Sequence, residues 1–248
     1  MHIHKPKAAH SLREFVSEIS VIAVGILIAL AGEQLVESLH WRHEKEVMRA
    51  SLHREIEGNL TSAAIREMIS PCFQARIAEL GRKLDDAHGA WKADPASDPN
   101  ARRYSALPVA IVAPLYAWYS DGRWRTALAS ASLAHMSESE RTAYSYSYRA
   151  TDMLLKNEEE EISIASRLQP LAKDQLLGAS DKLAFEKDLA AFDRLNVEIT
   201  IDANKFIEGS RNSRLAPAAS SLKDDYKLLV AEYGACVSPP GPISNGRS

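Results

Sequence analysis

The residues spaced best for metal chemistry are Glu37, His40 and Glu44, with His43 beside them. Steps of three and four put them on one face of a helix, where carboxylate and imidazole can converge on an ion. A di-iron centre in a helical bundle needs Glu-x-x-His on two helices and further carboxylates from others. This chain offers the motif once, so the expectation is a polar turn with no metal. His2 and His4, expected on a flexible terminus, could bind stray metal. A second grouping, Trp118, Arg123, Trp124 and Arg125, surrounds the Asp121-Gly122 turn. Indole faces and guanidinium groups there could stack on or pair with an anionic ligand or a partner, and a helix starting at the turn would add free amide donors. The same residues also suit a packed core with arginines on its rim. Tyr144, Tyr146 and Tyr148 read as core and rim packing, and the run Glu158 to Glu161 reads as a solvated face.

No nucleophile elbow, H-E-x-x-H, phosphate loop or recognisable frame of paired acids occurs in the sequence. The chain therefore reads as non-enzymatic, with no cofactor. A formal net charge of -3 over 248 residues gives no overall field to recruit nucleic acid. The two cysteines, Cys72 and Cys236, have the spacing of neither a zinc module nor a Cys-x-x-Cys redox pair. Two readings stand for them. They are separate buried thiols, or in an oxidising compartment they form a disulfide, which would restrict the unfolded chain by about 2 to 4 kcal/mol.

The elements that must position these groups begin with an apolar run. From Ile19 to Gly32 the sequence carries no charge and is bounded by Glu18 and Glu33. A helix crossing a bilayer needs roughly 20 residues, so the span recruits Phe15, Val16, Leu35 and Val36, giving an anchor over 15–36 after an N-terminal tail, 1–14. A cleaved signal peptide is the rival, because Lys5, Lys7 and Arg13 precede the run and Ala29-Leu30-Ala31 has small residues at cleavage spacing. Helical patterning through Leu35, Val36 and Leu39 favours the permanent anchor. Gly25, Ala29 and Gly32 form a small-residue stripe that would let two spanning helices approach closely.

Ser17-Glu18-Ile19, Val21, Ile22 and then Val24-Gly25-Ile26-Leu27-Ile28-Ala29-Leu30, with Gln34 and Trp41 downstream, resemble the N-terminal signature of an uncharacterised family of bacterial single-pass membrane proteins. Members of that family share an E-I-x-x-V-x-x-G-I-L-I-A-L anchor followed by a charged helix. The resemblance spans residues 17–41 and implies an anchor, not an activity. Basic residues flank the span on both sides, Lys5, Lys7 and Arg13 before it and Arg42, Lys45, Arg49 and Arg54 after it, so charge alone leaves the orientation open. Translocation of a long domain and a preference of the cysteines for an oxidising side favour a bacterial inner-membrane protein with its N-terminus in the cytoplasm and its bulk in the periplasm.

Beyond Trp41, Met48, Leu52, Ile56 and Leu60 recur at helical spacing, which predicts a juxtamembrane stalk helix over 37–69. Ser70-Pro71 reads as the start of a new helix reaching about Trp91, with Phe73, Ile77, Leu80 and Leu84 on its apolar face. The Pro- and Asp-rich residues 94–100 read as a loop, and the apolar stretch from Leu107 to Tyr119, broken by Pro108 and Pro114, as a wedge against the bundle. Further helices are expected after Asp121-Gly122, from Ser137 with a capping box to Glu140, from Asp181 to a stop at Gly209, and from Ala218 to Tyr233 before Gly234. No strand is expected. The fold class is all-α, with an antiparallel helical bundle over 70–236 and a disordered tail over 237–248. The implied partners are the lipid bilayer and either a second copy or another membrane-complex protein. An extracytoplasmic small-ligand sensor is the alternative function.

Overall fold

Leu12–Asp86 form one helix, α1, in a computed structural model that describes residues 12–93, 119–211 and 219–241. The chain divides into two compact units, residues 1–49 and 50–248. In the first unit the apolar part of α1 is exposed on every side, Ile19, Ile22, Leu27 and Leu30 included. The helix is long and apolar enough to cross a membrane, with a mean hydropathy of 2.2 over its most apolar window.

In the second unit α1 carries a stripe of buried residues at alternating steps of four and three: Leu52, Ile56, Asn59, Ala63, Arg66, Ser70, Phe73, Ile77, Leu80 and Leu84. That period keeps one side of a helix against its neighbours. The stalk expected to run to Ile69 is thus a core helix from Leu52 onward, and the expected break at Ser70-Pro71 does not occur. Proline removes the amide that would bond the Glu67 carbonyl and normally breaks a helix. Here Ser238, from the far end of the chain, stands against the gap. Its hydroxyl lies 3.4 Å from the Glu67 carbonyl oxygen and 3.2 Å from that of Met68, and its amide donates to the Met68 oxygen at 2.9 Å.

After α1 the chain turns at Gly89, which holds a φ of 84°, a conformation that costs glycine nothing and other residues dearly. Two short strands were not foreseen: β1, Ala90–Trp91, pairs antiparallel with β2, Gln175–Leu176, with Trp91 opposite Gln175. At two residues each they carry no alternation for a sequence to show. Trp91, expected at a helix end, is buried in this pairing and its indole N–H donates to the Leu171 carbonyl at 2.7 Å.

α2, Gly122–Ala129, is shorter than expected. The chain breaks at Ser130 and resumes as a 3-10 turn over Ala131–His135. α3, Glu138–Leu168, starts with the expected capping box between Ser137 and Glu140. α4, Ala179–Arg211, runs through Gly209 instead of stopping there. A Cβ at that position would stand 2.6 Å from the Tyr146 ring, so the glycine serves helix contact rather than termination. α5, Ala219–Tyr233, ends as expected at Gly234, with φ 84°.

Side-chain pairings give the directions. α4 runs antiparallel to α3, with Arg167 bonded to Asp188 and Asn157 to Asp202, and antiparallel to α1, with Asn196 donating to the Ser70 carbonyl and Phe192 edge-on to Phe73. α1 and α3 run parallel, since Glu55 meets Tyr148 and Arg66 meets Glu161. The tail expected to be disordered from residue 237 begins in contact, with Val237 buried and Ser238 bonded to α1. Residues 242–248 and the expected loop over 94–100 lie outside the described residues.

Candidate functional site

Where α1 faces α3, polar side chains interrupt both apolar stripes in register. Asn59 and Arg66 do so on α1, with Glu55 beside them; Thr151, Glu158 and Glu161 do so on α3. They form two clusters.

The first centres on Glu55. Its carboxylate accepts from the Tyr148 hydroxyl at 2.7 Å, the Ser120 hydroxyl at 2.7 Å, and the backbone amides of Arg123 and Trp124 at 3.1 and 3.3 Å. Those amides open α2, so a carboxylate from α1 occupies the helix N-terminus, where free donors and the helix dipole favour negative charge. Asn59 continues the cluster. Its amide nitrogen donates to the Ser120 carbonyl at 2.8 Å and to Thr151 Oγ1 at 3.2 Å, and its oxygen accepts from the Ser120 amide at 2.8 Å. Burial, with the bond to Glu55 added, pushes the Tyr148 hydroxyl far above its ordinary pKa, so it remains a donor.

This arrangement decides the fate of the aromatic and basic grouping around Asp121-Gly122. Trp124 stacks on Tyr148 with 5.0 Å between ring centres, and Arg123 reaches Ser51 at 2.8 Å. Arg125 pairs with Asp121 across one helical turn, outside the core. The anion at the start of α2 is the protein's own Glu55. Trp118 lies outside the described residues.

The second cluster joins Arg66, Glu158, Glu161 and Tyr119. Arg66 and Glu161, both fully buried, pair through Nη2 and Oε1 at 2.6 Å, and the guanidinium sits 4.7 Å from the centre of the Phe73 ring. Arg66 Nε and Nη1, Glu161 Oε2, Glu158 Oε1 and the Tyr119 hydroxyl are buried without a hydrogen-bond partner among the described residues. Burial pushes the Glu158 carboxyl up to about 9, against the pull of Arg66 and with the push of Glu161. Glu158 thus carries a proton at neutral pH. Burial also raises Glu161, opposed by Arg66, and raises Tyr119 well above its ordinary value. With Glu158 protonated, Glu161 is the carboxyl group that pairs with Arg66 in this cluster.

The run Glu158 to Glu161, expected on a solvated face, is therefore split. Residues three apart share a helix face, so Glu158 and Glu161 turn inward while Glu159 and Glu160 remain exposed. Sequence reasoning also passed over Glu55, Asn59 and Arg66. The signal was present: each falls on or beside the helical step that links Leu52, Ile56, Ala63 and Phe73.

Cys72 and Cys236, 164 residues apart in sequence, form a disulfide with Cα atoms 5.0 Å apart. Glu37 accepts from the Trp41 indole at 3.3 Å, and His40 packs edge-on to the same ring. Among the described residues no group of three or more His, Cys, Asp or Glu is arranged to hold a metal ion. Gly25, Ala29 and Gly32 lie exposed on α1, with nothing within 4 Å of a Cβ built at either glycine. Compared with known proteins, the chain matches no family model, no curated protein and no solved structure.

Proposed function

We propose that this protein is a non-enzymatic, membrane-anchored helical bundle that acts as an interaction, scaffold or accessory subunit at the bacterial inner membrane. The observation that carries this reading is that one helix, α1, holds both an apolar stretch exposed on all sides and, from Leu52, the central buried stripe of a bundle. An exposed helix of that composition is stable in lipid and costly in water. The resemblance of residues 17–30 to the anchors of bacterial single-pass proteins supports the same reading and adds no activity. The juxtaposed Cys72 and Cys236 support placing the bundle on the oxidising, periplasmic side, with the N-terminus in the cytoplasm. The aromatic and basic grouping gives little support to a ligand sensor, because Glu55, Tyr148, Asp121 and Ser51 already engage it.

Membranes carrying the full chain provide the test. Retention through an alkaline carbonate wash and crosslinking in intact membranes to a second copy or to another membrane protein are the expected results. Release by carbonate would overturn the anchor. Retention with only monomers and no protein neighbour would overturn the interaction role. Protease added outside spheroplasts should reach the bundle; full protection there would reverse the orientation.

A further inference from the structure

Pro71, Cys72, Cys236 and Ser238 meet at one place on α1, and each does something the others require. Pro71, itself exposed beside the buried Ser70 and Cys72, deprives α1 of an amide. Ser238 brings donors to that turn: its hydroxyl lies 3.4 Å from the oxygen of Glu67, the carbonyl whose helical amide the proline lacks, and 3.2 Å from that of Met68, to which its amide also donates. Beside them is the bond from Cys72, next after the proline in sequence, to Cys236, two residues before the serine. Val237 between them is buried. The segment is short and irregular: Gly234 turns the chain at φ 84°, a single 3-10 turn covers Gly234–Cys236, and residues 237–241 have no regular structure. Among the described residues, the bonds that join it to α1 beside the disulfide are those of Ser238. Segments with little buried surface and few hydrogen bonds are those that open at low free energy.

We propose that residues 234–241 are a redox-operated strap: the Cys72–Cys236 bond holds Ser238 over the proline gap in α1, and reduction by a dithiol releases the strap and loosens α1 at Pro71. Cys236 is the more accessible partner, since Cys72 is only 7% exposed. A thiolate of the reductant attacks Cys236 Sγ, the Sγ–Sγ bond breaks, and Cys72 leaves as a thiolate that takes up a proton. The second thiol of the reductant attacks the mixed disulfide, Cys236 departs as a thiol, and the reductant becomes a disulfide. Two electrons and two protons pass to the protein. With the strap gone, the Glu67 and Met68 carbonyls lose the Ser238 donors, and a proline without such support is where a helix bends. The strap does not depend on the anchor or on which side of a membrane the bundle lies.

Hydrogen exchange on the full chain in mild detergent, with and without dithiothreitol, tests the proposal, with free thiols counted in parallel. Reduction should speed exchange of the Ser238 amide and of the amides just after Pro71 by roughly tenfold or more, while amides around Thr151 and Leu195 keep their protection. The variant Cys72→Ser/Cys236→Ser should show the fast pattern in both conditions. Three results would overturn the strap: no thiols appearing while the bundle stays folded, thiols appearing with Ser238 and the proline turn unchanged, or protection lost throughout the bundle, which would make the bond a global staple. Should the double serine variant fail to fold, the reductant comparison on the native chain decides alone.

Discussion

Glu55 and Glu161 are both carboxylates buried where α1 meets α3, and they are held in different ways. Glu55 faces a ring of neutral donors, the hydroxyls of Ser120 and Tyr148 and the first amides of α2, so its oxygens are satisfied. Glu161 relies on one cation, Arg66, and leaves Oε2 unbonded, while Arg66 leaves Nε and Nη1 unbonded and Glu158 beside them keeps a proton. Dividing the work among many neutral dipoles makes each dispensable; giving it to one opposite charge makes that residue critical. A lone buried charge is the costliest thing such an interface can contain.

The sharpest way to break the comparison is to remove Arg66. Arg66→Met keeps much of the volume and strips Glu161 of the one ion-pair partner it has among the described residues, and the expected loss is about 3 to 5 kcal/mol in denaturant unfolding of the full chain in detergent. Removing both charges, Arg66→Met with Glu161→Leu, should recover most of that loss, because apolar packing can replace a buried pair at little cost. Equal losses in the single and double variants would show that Arg66 acts through packing on Phe73 rather than through its charge.

The next effect is one of pH. Glu158 has a folded pKa of about 9 against an ordinary 4.5, so across that window the folded chain holds a proton that the unfolded chain has released. Its contribution to stability is complete below about 4.5 and is lost as pH rises through about 9, at a rate of at most about 1.4 kcal/mol per pH unit. Glu161, also raised, acts in the same sense. Glu158→Gln mimics the protonated side chain and should flatten the decline between about pH 6 and about pH 9. Parallel slopes in the two proteins, followed by their unfolding midpoints, would show that Glu158 is not the group that titrates.

The two clusters also show what a sequence makes visible. Helix starts and stops set by local chemistry were legible: the Ser137 to Glu140 capping box and Gly234 both act where their residue types say they should. Pro71 misled because the local rule is sound but a donor comes from Ser238, far away in the chain. Gly209 misled for a similar reason, since the Tyr146 ring fixes its role from another helix. The buried acids were hidden by composition, because Glu158 and Glu161 sit in a run of four glutamates that resembles a solvated face until its three-residue step is set against the apolar stripe. The strands β1 and β2 exist only by meeting each other, and neither contains a pattern of its own.

The smallest expected effect comes from the well-satisfied carboxylate. Tyr148→Phe deletes one of the donors to Glu55 and leaves the ring stacked on Trp124, with Ser120, Arg123 and Trp124 still bonded to the carboxylate. The expected cost is about 1.5 to 3 kcal/mol, the net value of a hydrogen bond to a carboxylate. In a Glu55→Gln background the same change should cost less, because the bond no longer reaches a charged acceptor, and the double-mutant cycle reads that difference. A loss as large as that of Arg66→Met would mean that the donors around Glu55 are not interchangeable, and that the Tyr148 hydroxyl alone holds the start of α2 against α1.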